Sequence, residues 1–473
     1  MASFSISIDR SKKIPLSDQI YRSIREAIEA GRFASGARLP SWRDLAAQLG
    51  VSRGTVRVAY ERLVAEQFAI GLGAAGTHVA ERRVGERPSP SAGLVLSPET
   101  KPLPNFFYYD FGTKPLPFQM GVPAQDGFPF KLWSRVLTRE MRQTVMAPVS
   151  YPDPRGDLSL RKELTAYLAI ARGIRCDPSQ VFITGGFSGA LGLVMQGLQL
   201  GKATAWIEEP GFPLTRTALD LAGITVKAIP VDAEGLDVAA GERVAREAAL
   251  AIVTPGQQAP LGMTLSLARR LALMEWAKRN GAWIVEDDYL SELQLTGRAA
   301  PALASLDHGG RVIHIGSFSK TLSPTLRLGF MVVPPELVRR FGDVAACLAP
   351  APAAGVQRAV AELMREGCYL RHLRHMKRLY AARKDTILRA LDKVGRETVK
   401  VKATAGLAVV IELPQSVSDA DIALRALPLG LAPSALSRWY TQSSKQQGFL
   451  LGVTNINEDR VLADCKQLIG LVR

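Results

Sequence analysis

Five short stretches of this chain combine residue types that do chemistry together. The densest is Ser317-Phe318-Ser319-Lys320, followed by Pro324 and Arg327. A lysine amine condenses with an aldehyde to give a Schiff base. Beside it, the Arg327 guanidinium offers a bidentate fork and the Ser317 and Ser319 hydroxyls offer short donors, a set that suits a phosphate. The second stretch, Glu286-Asp287-Asp288-Tyr289, closes an apolar run. An anion in such a place keeps a neighbouring ring nitrogen protonated, because it favours the charged form. The third, Thr184-Gly185-Gly186-Phe187-Ser188-Gly189, lies between a strand pattern and a helix pattern; loops of this kind cradle phosphate with backbone N–H groups and the helix dipole, although a glycine-rich turn alone is a weak signal. The fourth, Glu209-Pro210-Gly211-Phe212-Pro213, puts an aromatic ring after a strand. The fifth, Tyr151-Pro152-Asp153-Pro154-Arg155-Gly156, is a proline-rich turn headed by a tyrosine.

The elements that must hold these stretches read as a parallel-rich α/β sheet with helices on both faces. VFIT (181–184), TAWIEE (204–209), ALAIVT (249–254), AWIVEDD (282–288), RVIHIGSF (311–318) and GFMVVP (329–334) are apolar β-type runs, with helical segments between most of them. From about Pro335 the pattern turns helix-rich and then mixed, predicting a smaller α+β lobe. Residues 81–104, rich in proline, serine and charge without a steady period, read as a linker. The expected domains are therefore 1–80, the linker 81–104, and 105–473.

The N-terminal unit reads as three helices and a hairpin. Leu16, Ile20, Ile24 and Ile28 make an apolar stripe on the first helix, which Gly31 ends. Ser41, with Asp44 three residues on, starts the second, whose inner face is Leu45, Ala46 and Leu49. Ser52 starts the third, with Val56, Tyr60, Leu63 and Val64 inward. Residues 68–80 read as two short strands around a glycine-rich tip.

Length and composition set wider bounds. The chain has 473 residues, 47% of them hydrophobic, enough for two or three domains and a large core. Its four cysteines are scattered, with no CxxC pair, which points to a reducing compartment and away from a structural zinc site. No secretory leader or membrane-spanning run is visible, so the expected location is the cytoplasm. The net charge of +15 is spread out: residues 1–83 hold 13 Lys+Arg against 8 Asp+Glu. Charge therefore supports a nucleic-acid partner only weakly, and the motif must carry that argument.

The segment LPSWRDLAAQLGVSRGTVRVAYERL (39–63) resembles the helix-turn-helix of GntR-type bacterial regulators. A recognition helix presents its N-terminal residues to base edges in the major groove. Here these are Ser52, Arg53, Gly54 and Thr55, with Arg57 a turn later. Arg53 can bind guanine bidentately, and Ser52 and Thr55 suit phosphate or base contacts. The resemblance implies a backbone-contacting role for Arg43 and a wing at 73–77, including Gly76 and Thr77. Trp42 departs from the small polar residue usual at its position.

From Asn105 onward the chain resembles a fold-type I aminotransferase, and the fusion resembles the MocR subfamily of GntR regulators. That implies a cytoplasmic, homodimeric transcriptional regulator that binds double-stranded operator DNA and senses a small amino compound, or pyridoxal 5'-phosphate (PLP) itself. It implies PLP on Lys320, Asp287 at the pyridine nitrogen and Tyr289 at the phenolic oxygen. Ser317, Ser319, Arg327, Gly186, Phe187 and Ser188 would hold the phosphate, and Phe212 would stack on the ring. Tyr151 either reaches the phosphate of the neighbouring subunit or is simply part of a turn. Two departures matter. Ala259 stands where an asparagine or aromatic usually precedes Pro260, leaving Gln258 or Tyr289 to compensate. Leu450 falls about where aminotransferases carry the arginine that clamps a substrate carboxylate. Arg438, the nearest replacement, reads equally as holder of an effector's acid group or as a surface residue. These departures favour a sensor over the alternative, a working aminotransferase with an accessory DNA-binding head, while leaving a residual transaminase half-reaction open. A domain kept only for dimerisation is the weakest reading, given intact Lys320, Asp287 and Arg327. His314 reads as a satisfied core histidine, and 371–378 as a solvated basic helix face with Leu373 and Met376 inward.

Overall fold

The computed structural model describes residues 6, 8–80, 114–295, 299–394, 399–441 and 446–472. The chain divides into two compact units, Met1–Pro102 and Leu103–Arg473. The expected linker at 81–104 and the boundary at 105 lie outside the described residues.

In the first unit, α1 (Leu16–Glu29), α2 (Trp42–Leu49) and α3 (Arg53–Ala65) precede an antiparallel pair, β1 (Ala69–Gly71) and β2 (Thr77–Val79). α1 buries Ile20, Tyr21, Ile24 and Ala27 along one stripe. The Ser41 hydroxyl accepts the Asp44 N–H at 3.2 Å to start α2, and the Ser52 hydroxyl accepts the Thr55 N–H at 3.1 Å to start α3. Between the helices Gly50 takes φ 61°, a left-handed turn that strains any residue with a Cβ. α3 turns Val56, Ala59, Tyr60 and Leu63 inward. Val64 does not join them as expected: it is 41% exposed, because one residue past Leu63 the helix has rotated about 100° away from the core.

The second unit continues with α4 (Phe130–Met146), α5 (Leu158–Ala171), β3 (Val181–Thr184), α6 (Phe187–Gly197), β4 (Thr204–Glu209), α7 (Pro213–Leu221), β5 (Thr225–Asp232), β6 (Gly235–Leu236), α8 (Val238–Ala245), β7 (Leu250–Val253), α9 (Leu267–Asn280), β8 (Trp283–Asp288), β9 (Val312–Ser317) and β10 (Gly329–Val332). These strands form one sheet in the order β3-β10-β9-β8-β7-β4-β5-β6. Pairing from β9 across to β5 is parallel; β10 runs antiparallel to both β9 and β3, and the short β6 folds back on β5. Side chains alternate between the faces as the strand period requires. In β4, Ala205 and Ile207 enter one apolar layer with α6, α7 and Phe341, while Trp206 enters the other and stacks on Trp276 of α9 at 3.9 Å.

The consequence for function is positional. The C-terminal ends of β3, β4, β7, β8 and β9 share one edge of the sheet, where ligands bind in open α/β sheets. β10 starts at that edge, with Gly329 opposite Thr184 on one side and Ser317 on the other. The smaller lobe comprises α10 (Val338–Leu348), α11 (Ala354–Arg365), α12 (Cys368–Val394), β11 (Lys400–Ala405), β12 (Ala408–Glu412), α13 (Asp419–Ala426), β13 (Ser434–Ala435), β14 (Gly448–Gly452) and α14 (Val461–Gly470), with an antiparallel sheet ordered β11-β12-β14-β13. No helix among the described residues is long and apolar enough to cross a membrane.

Candidate functional site

Lys320 lies three residues past β9, half-buried, and its Nζ donates to the Gly121 carbonyl at 2.6 Å. Burial pulls its ammonium down from 10.5 to about 8, against the opposing attraction of the Asp287 carboxylate. A ready supply of neutral amine is what carbonyl condensation needs. Asp287, near the end of β8, is pushed well above the ordinary carboxylate range by burial, and further by Asp288 and Glu208. No described side chain or backbone N–H donates a hydrogen bond to it. It is thus a carboxyl group waiting for a partner. Tyr289 follows, with its hydroxyl pKa raised by burial and by the nearby carboxylates.

The phosphate-type residues converge on the same edge. Gly186 caps α6 with φ 86°, and the Thr184 hydroxyl donates to its carbonyl at 3.1 Å. A Cβ on Gly329 would lie 2.9 Å from Gly186 Cα, so the glycine lets β10 approach the loop closely. Phe187 and Ser188 open α6, Phe187 half-buried and Ser188 exposed. The Ser319 N–H donates to Ser317 Oγ at 3.2 Å. A Cβ on Gly186 would come within 4.0 Å of Ser319 Oγ, which joins the two loops at one place. Arg327 sits between Ser317 and Gly329 in sequence, is exposed in a left-handed turn at φ 48°, and has no ion-pair partner among the described residues. Phe212 caps α7; its ring is 39% exposed and lies 5.7 Å from that of Trp439.

Tyr151 is fully exposed and joins none of these groups. Arg438 is half-buried in the turn Leu436–Trp439, where burial lowers its guanidinium pKa. Leu450 is completely buried in β14, in an apolar cluster with Ala405, Ala408, Val410 and Leu436. Gln258 cannot make good the loss at Ala259. Its Nε2 donates to the Pro210 carbonyl at 2.7 Å and the Ala259 carbonyl at 2.8 Å, and its Oε1 accepts the Leu261 N–H at 3.0 Å, so its amide is already committed.

Several contributors escaped the sequence reading. Glu208 accepts the Thr254 N–H at 3.1 Å and the Thr254 hydroxyl at 2.5 Å, locking the loop after β7; burial lifts it to about 7. α12 braces the residue after the lysine. His372 is buried there rather than solvated, with Nε2 2.8 Å from the Thr321 carbonyl, and the Tyr369 hydroxyl donates to Thr321 Oγ1 at 3.2 Å. Leu373 and Met376 do turn inward. His314 is a paired core residue as expected: Nδ1 lies 2.9 Å from Glu286 Oε2. Burial works to lower its pKa, but Glu286 and Asp288 together raise it. Glu286 also takes the Leu303 and Ala304 N–H groups, at 2.6 and 3.0 Å, and Arg172 holds Asp288 at 2.6 Å.

In the N-terminal unit Arg43 and Arg53 are exposed, and Arg57 pairs with Glu61 at 3.4 Å. The Ser52 and Thr55 hydroxyls bond each other at 2.8 Å while Ser52 caps α3, leaving one hydroxyl hydrogen between them for an outside acceptor. Gly76 turns the wing at φ 92° ahead of Thr77, which opens β2. Arg38 is a further missed residue. It bridges to His78, and a Cβ on Gly76 would lie 3.0 Å from its Nε. The bare glycine leaves room for that exposed guanidinium, which has no acidic partner among the described residues. Trp42 stands 47% exposed at the first position of α2.

Comparison with known proteins accounts for both units. The family model for bacterial regulatory proteins of the gntR family matches residues 16–79, and that for aminotransferase class I and II matches 133–427. The probable rhizopine catabolism regulatory protein MocR of Rhizobium meliloti is 33% identical over 465 residues, covering 95% of this chain and 92% of that protein. The chain is a GntR-family regulator of the MocR type. The TauR regulator of Rhodobacter capsulatus is also 33% identical to this regulator, over 87% of this chain and 86% of its own. The pyridoxine biosynthesis regulator PdxR of Corynebacterium glutamicum is 27% identical over the whole of both. Among solved structures, an archaeal alanine:glyoxylate aminotransferase matches with a TM-score of 0.70 at 25% identity, covering 76% of the regulator and 91% of that chain. The α-aminoadipate aminotransferase LysN of Thermus thermophilus matches at 0.67 and 27%, covering 76% and 92%. The large unit of this regulator thus has the fold of a PLP-dependent enzyme family joined to a DNA-binding head.

Proposed function

We propose that this regulator works as a cytoplasmic homodimer that binds operator DNA through its N-terminal unit and reads PLP, or a small amino compound meeting PLP, through its large unit. The observation that carries the cofactor reading is the Lys320–Asp287 pair: a half-buried amine lowered to about 8 near a half-buried carboxyl group that accepts no hydrogen bond from the described residues. Lys320 would hold the cofactor aldehyde, Asp287 the ring nitrogen and Tyr289 the phenolic oxygen. Phe212 would cover the ring face. Gly186, Phe187, Ser188, Ser317, Ser319 and Arg327 would enclose the phosphate, with Tyr151 reaching the partner's site. When bound, PLP supplies an aldehyde that exchanges between amines and a ring that accepts electrons. Val145, Met146, Val149 and Tyr151 leave an exposed apolar stretch that suits a subunit contact.

On the DNA side Arg53 would read a base edge, with Ser52 and Thr55 beside it. Arg43, Arg57, Gly76 and Thr77 would follow the backbone and wing path, joined by Arg38. Arg438 would meet an acid group on the effector. Leu450 and Ala259 count against the second reading, an efficient aminotransferase, because neither can bond a carboxylate or a cofactor oxygen. The test is operator binding with and without PLP across a panel of amino compounds, followed by the visible absorbance of the purified protein. A yellow protein whose band is lost in Lys320→Ala, and whose DNA affinity responds to ligand, supports the proposal. A protein that stays colourless with added PLP defeats it, and steady release of keto acid from an amino donor favours the enzyme.

A further inference from the structure

The loop after β7 is hydrogen-bonded almost throughout, with one exception. Thr254 and Gln258 are committed to Glu208, to backbone carbonyls and to Leu261. Gln257, only 7% exposed, has a buried Oε1 with no hydrogen-bond partner among the described residues. Buried amides are ordinarily satisfied, and one left open asks for a ligand. The open end points to a defined place. Gly406, in the turn between β11 and β12 at φ 56°, is hemmed in there: a Cβ on it would lie 2.7 Å from Leu290 Cδ1, 3.1 Å from Gln257 Oε1 and 3.8 Å from the Tyr289 hydroxyl oxygen, so the bare glycine is what lets these side chains gather at the turn. An unpaired amide and a phenol thus come together beside one glycine. Tyr289 is two residues past Asp287, and Ala259 stands two residues past Gln257 at the end of the loop.

We infer that Gln257 is a cofactor-positioning residue that hydrogen-bonds the phenolic oxygen beside Tyr289, in place of the group missing at Ala259. The inference rests on the PLP reading above. A half-turn of the amide exchanges Oε1 and Nε2, so the open end can present an N–H donor to an oxygen anion. A donor favours the deprotonated oxygen and so lowers the pH at which the oxygen ionises. The titratable groups acting on Tyr289 are Asp287 and Glu208, and Asp287 is acted on in turn by Asp288, Glu208, Lys320 and Glu286. Gly406 and Leu290, packed beside them, bring no charge.

The experiment titrates the full-length protein loaded with PLP against pH, reading the visible band, and measures PLP affinity for wild type, Gln257→Leu, Gln257→Glu and Gln257→Asn. Gln257→Leu should raise the pH midpoint by about one unit and weaken PLP binding about tenfold, because it removes the donor. Gln257→Glu, nearly the same size, should raise the midpoint further by setting a carboxylate against the oxygen anion. Gln257→Asn should fall between wild type and Gln257→Leu. A midpoint unchanged in both the leucine and the glutamate variants overturns the inference, as does a loss confined to the response to added amines, which would make Gln257 an effector contact. If one variant fails to fold, the other still decides. A wild type that never binds PLP overturns the cofactor reading itself and is told apart by its lack of colour.

Discussion

Two opposing effects meet at Lys320: burial favours the neutral amine, and Asp287 favours the ammonium. With the balance near 8, about a tenth of the lysine is free amine at pH 7 and about nine tenths at pH 9. The rate at which added PLP produces the visible band should therefore rise about tenfold between pH 7 and pH 9 and then level off. An ordinary lysine would keep gaining beyond pH 10. Asp287→Asn removes the attraction and should move the midpoint below 8; stopped-flow absorbance against pH checks both. Levelling only above pH 10 would show that the amine is not desolvated. Arg38 makes a separate prediction. Arg38→Ala should weaken operator binding and reduce the slope of log affinity against log salt by about 1, as for the loss of one phosphate contact. Anisotropy titrations over a salt series measure it, and an unchanged slope removes Arg38 from the interface. Lys320 and Arg327 stand out as candidates in the sequence because their chemistry admits few substitutes and they lie close together in it. Glu208, Gln257 and Arg38 do not, because their meaning depends on partners far along the chain: Thr254, Gly406 and Gly76.

At the scale of elements, the strands that carry the site were readable as unbroken apolar runs, because both faces of the sheet are covered. β5 was not. Its sequence TVKAIPVD carries Lys227 and Pro230, and it lies near the sheet's edge with only the two-residue β6 beyond it. Val64 faces outward although it is apolar, because the helix period and not residue type sets its direction. The middles of β8 and β9 are joined by the His314–Glu286 pair, both 1% exposed. Neighbouring carboxylates raise the His314 pKa, so its ion pair adds stability that is full below the unfolded value of 6.5 and is lost as pH rises through the higher folded value. His314→Phe should therefore cost about 3 kcal/mol near pH 6, since it leaves Glu286 with backbone donors alone. The gap between variant and wild type should narrow toward pH 9. Urea unfolding of the large unit at both pH values measures it; a gap that is constant or widens with pH would mean that His314 is neutral in the folded protein.

At the scale of the whole molecule, a sensor requires its two units to share a free energy, and that requirement is quantitative. If PLP or an amine changes operator affinity by some factor, operator DNA must change the affinity for that ligand by the same factor and in the same direction. A tenfold effect corresponds to about 1.4 kcal/mol, within the range usual for allosteric proteins. The two sides are independently observable: labelled operator by anisotropy with and without ligand, and the visible band titrated with ligand with and without operator. Dimerisation can imitate coupling, since a ligand that merely assembles dimers raises DNA affinity by mass action. The two cases separate on protein concentration. True coupling keeps its factor constant once the dimer is saturated, whereas assembly-driven enhancement shrinks as protein is added. Equal factors that persist at high protein concentration would establish the large unit as the sensor for the reading head. Ligand binding that leaves operator affinity untouched at every concentration would leave a chain whose cofactor-type unit and DNA-binding unit work independently.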